Sequence, residues 1–226
     1  MKLLTYVGTS LRPADLDGLR AHAAEAGVDL SVRPPIVRRD LLSLVDEVGP
    51  DTRVLMLDGE FGQQLSVSVT EIREYLRGGR YLAGGSSMGA LRAVECRTIG
   101  MHAHGWVAAS YLDGSVNADD EVALLYDPDS LEPVTVPLVN VRWLAHVLES
   151  EGELGHADAA ELFALAAGIH YRARTPAALV RASAARLPRH AADLSAEYLA
   201  PDRIDSWDRK RLDGLAAVRD EIAASR

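Results

Sequence analysis

Short apolar runs that stop at a glycine and then give way to helical periodicity recur through the first ~130 residues, and this alternation dictates a parallel sheet with helices on its faces. Leu3 to Val7 read as a strand that ends in Gly8, Thr9 and Ser10, with Ser10 expected to cap a helix from Pro13 to Gly27. Asp29 to Val32 form a second strand, and Pro34 and Pro35 stop it from continuing as helix. A helix is expected from Asp40 to Val48. Val54 to Leu57 make a buried-type strand ending at Asp58 and Gly59, followed by a helix from Ser68 to Leu76 that stops at Gly78 and Gly79. Tyr81, Leu82 and Ala83 give the next strand, which ends in Gly84 and Gly85 and enters a helix at Ser87.

Beyond Glu132 the character changes. The chain becomes rich in Ala, Leu, Glu and Arg, with apolar residues at helical spacing, and helices are expected near Val139 to Leu148, Ala157 to Ala167, Pro176 to Leu187 and Ile204 to Ala224. The fold class is therefore α/β: a parallel Rossmann-like sheet with flanking helices over residues 1–132, then an all-helical part over residues 133–226. Trp143 beside Arg142, Tyr171 with Arg172 and Arg174, and Trp207 suit either partner surfaces or ordinary helix packing.

Composition excludes several classes. With 48% hydrophobic and 25% charged residues in 226, the chain can bury a substantial core. No apolar run approaches the roughly 20 residues that cross a bilayer, and MKLLTYVGTS reaches a glycine before a signal-peptide core could form, so a cytoplasmic protein without membrane attachment is expected. A net charge of -9 with no basic stripe argues against nucleic acid as a partner. Cys96, the only cysteine, is incompatible with an internal disulfide and reads as a small buried side chain in a helix.

In a sheet of this kind ligands bind beyond the carboxyl ends of the strands. Those ends carry Gly8 to Ser10, then Asp58 and Gly59, then Gly84, Gly85, Ser86 and Ser87, so small polar residues collect on one edge. Gly85, Ser86, Ser87, Met88 and Gly89 fit a G-x-S-x-G turn between strand and helix, in which the serine hydroxyl projects outward. If Ser87 attacks a carbonyl, the Met88 amide and the helix N-terminus would favour the developing negative charge. A helix cap in a tight turn and a loop that holds a carboxylate or phosphate fit the same letters.

A serine nucleophile calls for a base, and the histidines nearest in sequence are His102 and His104, expected on opposite faces of an extended segment; His146, His156 and His170 are more distant. Arg92 and Glu95 are spaced to pair along one helix face, or Arg92 could clamp a substrate carboxylate. Asn117, Asp119, Asp120 and Glu121 read as a capped acidic helix start or as oxygen ligands for magnesium; no metal or cofactor is expected.

Taken together, GGSSMGALRAVE, GMHAHGWVAASYLDG and DDEVAL resemble the TfuA-like family over Gly84 to Leu124 in order and spacing, and Gly8, Ser10, Pro34, Pro35, Asp40, Asp58 and Gly59 match upstream. The resemblance implies a partner of YcaO enzymes, which use ATP to activate a peptide backbone amide for replacement of oxygen by sulfur. It also implies a ubiquitin-like, ThiS-like sulfur carrier whose C-terminal thiocarboxylate is hydrolysed to release sulfide. On that reading Ser87, Met88, Arg92, Asp58, Glu71 and His102 carry the chemistry. Gly8, Ser10, Gly59, Gly84, Gly85, Ser86, Glu95, Asp119, Asp120 and Glu121 contact substrate, and a homodimer is a further expectation. Where many members carry tryptophan, histidine, lysine and glutamate after a serine and valine, this chain reads Ser68, Val69, Thr70 and Glu71 after Ser66 and Val67. The glutamate alone is kept. A non-catalytic adaptor that docks the carrier or the YcaO enzyme is the alternative, and a small-molecule serine hydrolase is a third reading.

Overall fold

The computed structural model describes residues 1–49, 51–62 and 64–225. Their contacts fall into two compact units: Met1–Asn117 joined by the last helix from Lys210 onward, and Ala118–Arg209.

The first unit is built on β1 (Lys2–Tyr6), β2 (Asp29–Arg33), β3 (Thr52–Met56), β4 (Tyr81–Gly85) and β5 (His102–His104), all parallel in the order β2-β1-β3-β4-β5. The crossovers are α1 (Pro13–Glu25), α2 (Asp40–Glu47), α3 (Val69–Arg77) and α4 (Met88–Glu95), with α5 (Gly105–Leu112) after β5. Alternation along the strands explains why both faces are apolar. Leu4, Tyr6, Val54, Met56 and Leu82 pack on Leu41, Leu44, Ile72, Tyr75 and Ala93, while Leu3, Val7, Leu55, Leu57 and Ala83 pack on Leu19, Ala23, Ala217, Val218 and Ile222. The expected α/β class with a parallel sheet is thus the observed one.

Residues 118–209 hold α6 (Leu138–Ser150), α7 (His156–Ala167), α8 (Pro176–Arg186), α9 (Arg189–Tyr198) and α10 (Ile204–Trp207) around a core that includes Leu144, Leu148, Leu162, Leu179 and Trp207. The segment expected as one helix from Ile204 to Ala224 is two, because the chain turns at Asp208 before α11 (Arg209–Ala223), and α9 is an additional helix. Arg142, Trp143, Arg174 and Trp207 are packed within this unit, whereas Arg172 stays exposed beside Tyr171. Arg142 lies over the Phe163 ring and chelates Glu121, Arg209 lies over Trp143, and the Trp207 indole donates to the Tyr198 carbonyl.

Ser10 does not cap α1. The cap position is Arg12, whose amide donates to Asp15 at 2.9 Å, and the Ser10 hydroxyl turns instead to a carboxylate 48 residues away. Nor does Asn117 cap the acidic segment: Asp119–Glu121 form a single 3-10 turn that starts after Ala118.

Candidate functional site at the strand ends

Strand order 2-1-3-4-5 reverses the winding direction at β1 and β3, and such a reversal opens a crevice at the carboxyl ends of those strands. Asp58, just past β3, reaches into it. Its Oδ2 accepts from the amides of Gly8 at 2.8 Å and Ser10 at 3.0 Å, and its Oδ1 accepts from the Ser10 hydroxyl at 2.7 Å. One buried carboxylate therefore fixes the whole loop after β1, satisfying two amides that would otherwise be orphaned.

The loop after β4 is bonded to the first. Ser86 Oγ lies 2.6 Å from Ser10 Oγ and 2.8 Å from the carbonyl of Lys210 in the first turn of α11. Ser87 follows as the residue before α4, and its side chain makes no capping bond to that helix. Among the described residues its hydroxyl has no other hydrogen-bond partner, although Ser87 is 97% buried by its 3% exposure. The first four amides of a helix lack intrahelical acceptors. Here Gly89 donates to the Leu57 carbonyl, and Ala90 and Leu91 donate to the Ser87 carbonyl. The Met88 amide is the donor left over at the turn, beside the unpartnered hydroxyl.

Glycines permit this crowding. A Cβ on Gly89 would stand 1.8 Å from the Met56 carbonyl oxygen, and one on Gly84 would stand 2.2 Å from the Gly89 carbonyl oxygen, so strand and helix meet backbone to backbone. Gly59 leaves room for side chains, since a Cβ there would stand 3.0 Å from both Met88 and Ile36, and Gly85 faces His104 and Ala217.

Other residues singled out from the sequence have different partners. Arg92 donates through Nε to the Val67 carbonyl at 2.9 Å and pairs with Glu95, so its guanidinium braces the segment before α3. Glu71, buried, accepts from the Leu41 amide at 3.1 Å and so serves the N-terminus of α2. His102 and His104 lie two apart on β5 and therefore share a face rather than standing on opposite ones, since side chains in a strand repeat every second residue. His102 stacks on Tyr81 with ring centroids 4.7 Å apart, and His104 Nε2 lies 2.7 Å from Glu221. Asp119, Asp120 and Glu121 belong to the other unit, where Glu121 is held by Arg142. Among the described residues no group of three or more His, Cys, Asp or Glu is placed to hold a metal ion.

The contribution of α11 was not read from the sequence. Lys210 and Glu221 are both buried in it, and the only local signal is an apolar stripe through Ala217, Val218 and Ile222 that could have faced any core.

A family model described as TfuA-like protein matches residues 58–175, more than half of the chain. The chain belongs to the TfuA-like family. The matched span contains Asp58, Ser86, Ser87 and Met88, while Gly8, Ser10 and Lys210 lie outside it. The TfuA-like family is generally associated with thioamidation and with YcaO-linked systems. No curated protein matches the chain. Among the described residues no helix is long and apolar enough to cross a membrane.

Proposed function

We propose that this chain is the sulfur-releasing partner of a YcaO enzyme in peptide backbone thioamidation, and that it hydrolyses the C-terminal thiocarboxylate of a ubiquitin-like carrier. The observation that carries the reading is the unpartnered Ser87 hydroxyl beside the unpartnered Met88 amide at the start of α4, in a chain of this family.

The chemistry suits a site without an adjacent histidine. Ser87 Oγ adds to the thiocarboxylate carbon, a C–O bond forms, and the carbonyl oxygen takes the negative charge. The Met88 N–H and the helix N-terminus stabilise that oxyanion. When the carbonyl reforms, the C–S bond breaks, and the serine proton departs on sulfur, so the products are an acyl-serine and hydrosulfide. Water then attacks the ester, which restores Ser87 and leaves the carrier with an ordinary carboxylate. The leaving sulfur is itself the proton acceptor of the first step. Gly84 and Gly85, whose missing side chains leave room for the Gly89 and His104 backbones, shape the turn that carries Ser87 rather than an open slot for the carrier tail.

A second reading, a docking adaptor without turnover, is favoured by the engagement of His102 with Tyr81 and of His104 with Glu221, which leaves neither ring hydrogen-bonded to Ser87. One experiment separates the two. Thiocarboxylated carrier mixed with the protein gives sulfide and free carrier on the hydrolase reading, and Ser87→Ala lowers the rate at least ~100-fold. An intact thiocarboxylate in a measurable complex decides for the adaptor.

A further inference from the structure

Ser86 holds the strained position of the turn. Its φ of 65° lies in the left-handed region, and across it the Ser87 amide donates to the Gly85 carbonyl at 2.8 Å. This closes a three-residue γ-turn, whose positive-φ form is rare and strained. Glycine would occupy the position without strain. A serine persists there only if its surroundings over-determine the conformation, and the hydroxyl supplies that determination.

The direction of the hydrogen bonds can be worked out. The Ser10 proton goes to Asp58 Oδ1, so Ser10 presents a lone pair to Ser86, and the Lys210 carbonyl can only accept. Ser86 therefore shares its single proton between the two acceptors, a three-centre hydrogen bond to oxygens at 2.6 and 2.8 Å. Each acceptor is anchored in turn. Asp58 holds Ser10 through its amide as well as its hydroxyl. Lys210 sits on α11, which Arg211 ties to Asp15 and Asp213 ties to the Val107 amide at the start of α5.

We infer that Ser86 is a positioning residue: its hydroxyl clasps the strained turn between Ser10 and the Lys210 carbonyl and so aims the Ser87 hydroxyl, which makes the C-terminal helix a working part of the site. The inference rests on the reaction proposed at Ser87, yet it is testable apart from the substrate. Misplacing a reacting atom by about 1 Å can cost about 100-fold in rate, which sets the size of effect to look for.

Two variants separate clasp from strain. Ser86→Gly removes both, and Ser86→Ala removes the clasp but keeps the strain. Each is measured for thermal midpoint, for kcat and KM of sulfide release from thiocarboxylated carrier, and for the rate of labelling by a fluorophosphonate, with the labelled residue located by peptide mass spectrometry. The label forms a Ser87 O–P bond as P–F breaks, and the serine proton leaves with fluoride.

For Ser86→Gly the expected result is a midpoint no lower than that of the unaltered chain, a kcat about 10- to 100-fold lower, a KM within about twofold, and labelling at Ser87 slowed in parallel. Should Ser86→Gly not fold, Ser10→Ala removes one acceptor without touching the turn, and its kcat is expected to fall about 10-fold. Full kcat and full labelling rate in a folded Ser86→Gly protein would overturn the inference. So would a label found on Ser86 in the unaltered chain, which would make Ser86 the nucleophile, or no labelling of Ser87 at all. If the unaltered chain releases no sulfide but labels at Ser87, and Ser86→Gly slows that labelling, the proposed substrate fails and the clasp stands.

Discussion

His104 Nε2 stands 2.7 Å from Oε1 of Glu221, joining the edge strand β5 to the last helix of the chain. The same carboxylate accepts from the Tyr81 hydroxyl at 2.7 Å and from Arg53 Nε at 2.6 Å, so β3, β4 and β5 all converge on one buried side chain of α11. Because the Ser86 clasp ends on that helix, whatever loosens Glu221 reaches the site.

Acid is expected to loosen it. Burial pushes the Glu221 carboxyl up, but the hydrogen bonds from His104, Arg53 and Tyr81 outweigh burial and hold it below its ordinary 4.5. A depressed carboxyl contributes stability above the unfolded value and loses it as pH falls through the folded one. Asp15 has the same sign, with burial opposed by Arg211 and the Arg12 amide. Glu221→Gln should therefore lose about 1.5–3 kcal/mol at pH 7 and show a shallower decline below pH ~4.5. Urea unfolding from pH 7 down to pH 3 reads both quantities.

Gly89→Ala is expected to be far more damaging than a methyl group suggests. The added Cβ would meet the Met56 carbonyl oxygen at 1.8 Å and its carbon at 2.6 Å, and backbone cannot step aside as a side-chain tip can. Displacing α4 also breaks the bond from the Gly89 amide to Leu57. A loss of more than about 3 kcal/mol is expected. Gly18→Ala is the control, since a Cβ at that position in α1 meets nothing within 4 Å, and it should gain about 0.5–1 kcal/mol. Thermal unfolding of the pair gives the comparison.

Cys96 should be inert in the folded protein. It is fully buried, and burial with the nearby Glu95 charge pushes its thiol up to about 11. Reaction requires the thiolate, so a thiol reagent at pH 8 should modify it only after guanidinium is added. The raised value also means that its contribution to stability is complete below about 9 and declines as pH rises toward 11. A Cys96→Ala variant should melt with less dependence on pH across that interval.

The sheet was legible because β1, β3 and β4 are short apolar runs closed by glycine or by Asp58 and Gly59, and in a parallel sheet those closures must gather on one edge. β5 was harder to read: three residues with two histidines show no apolar alternation, and pairing with β4 alone makes them a strand. Ser10 has the spelling of a helix cap, but Asp58 competes for it across 48 residues, and no local rule sees that partner. The G-x-S-x-G spacing centres on Ser87, because only in that frame does a glycine, Gly89, close the motif, yet the positive φ falls one residue earlier, on Ser86. The role of α11 was hidden for a related reason. An amphipathic helix announces that it has a buried face but not which core that face meets.

Glu71 illustrates how a residue inside a motif can be claimed by local structure. It stands in the first turn of α3, where its amide donates to the capping Ser68 hydroxyl oxygen at 3.2 Å, and its own carboxylate accepts from the Leu41 amide at the start of α2. Two helix starts are thus satisfied by one pair of side chains, and each would otherwise leave a buried or half-buried N–H without a partner. Ser68→Ala removes a single cap and should cost about 1 kcal/mol. Glu71→Ala strands the Leu41 amide in a buried position and should cost about 1–3 kcal/mol. The two losses should not add, because Ser68 fixes the turn from which Glu71 reaches α2, so the double variant is expected to fall short of the sum by roughly 0.5 kcal/mol or more. Denaturant unfolding of the four proteins in that cycle measures the coupling, and strict additivity would mean that the two caps act independently.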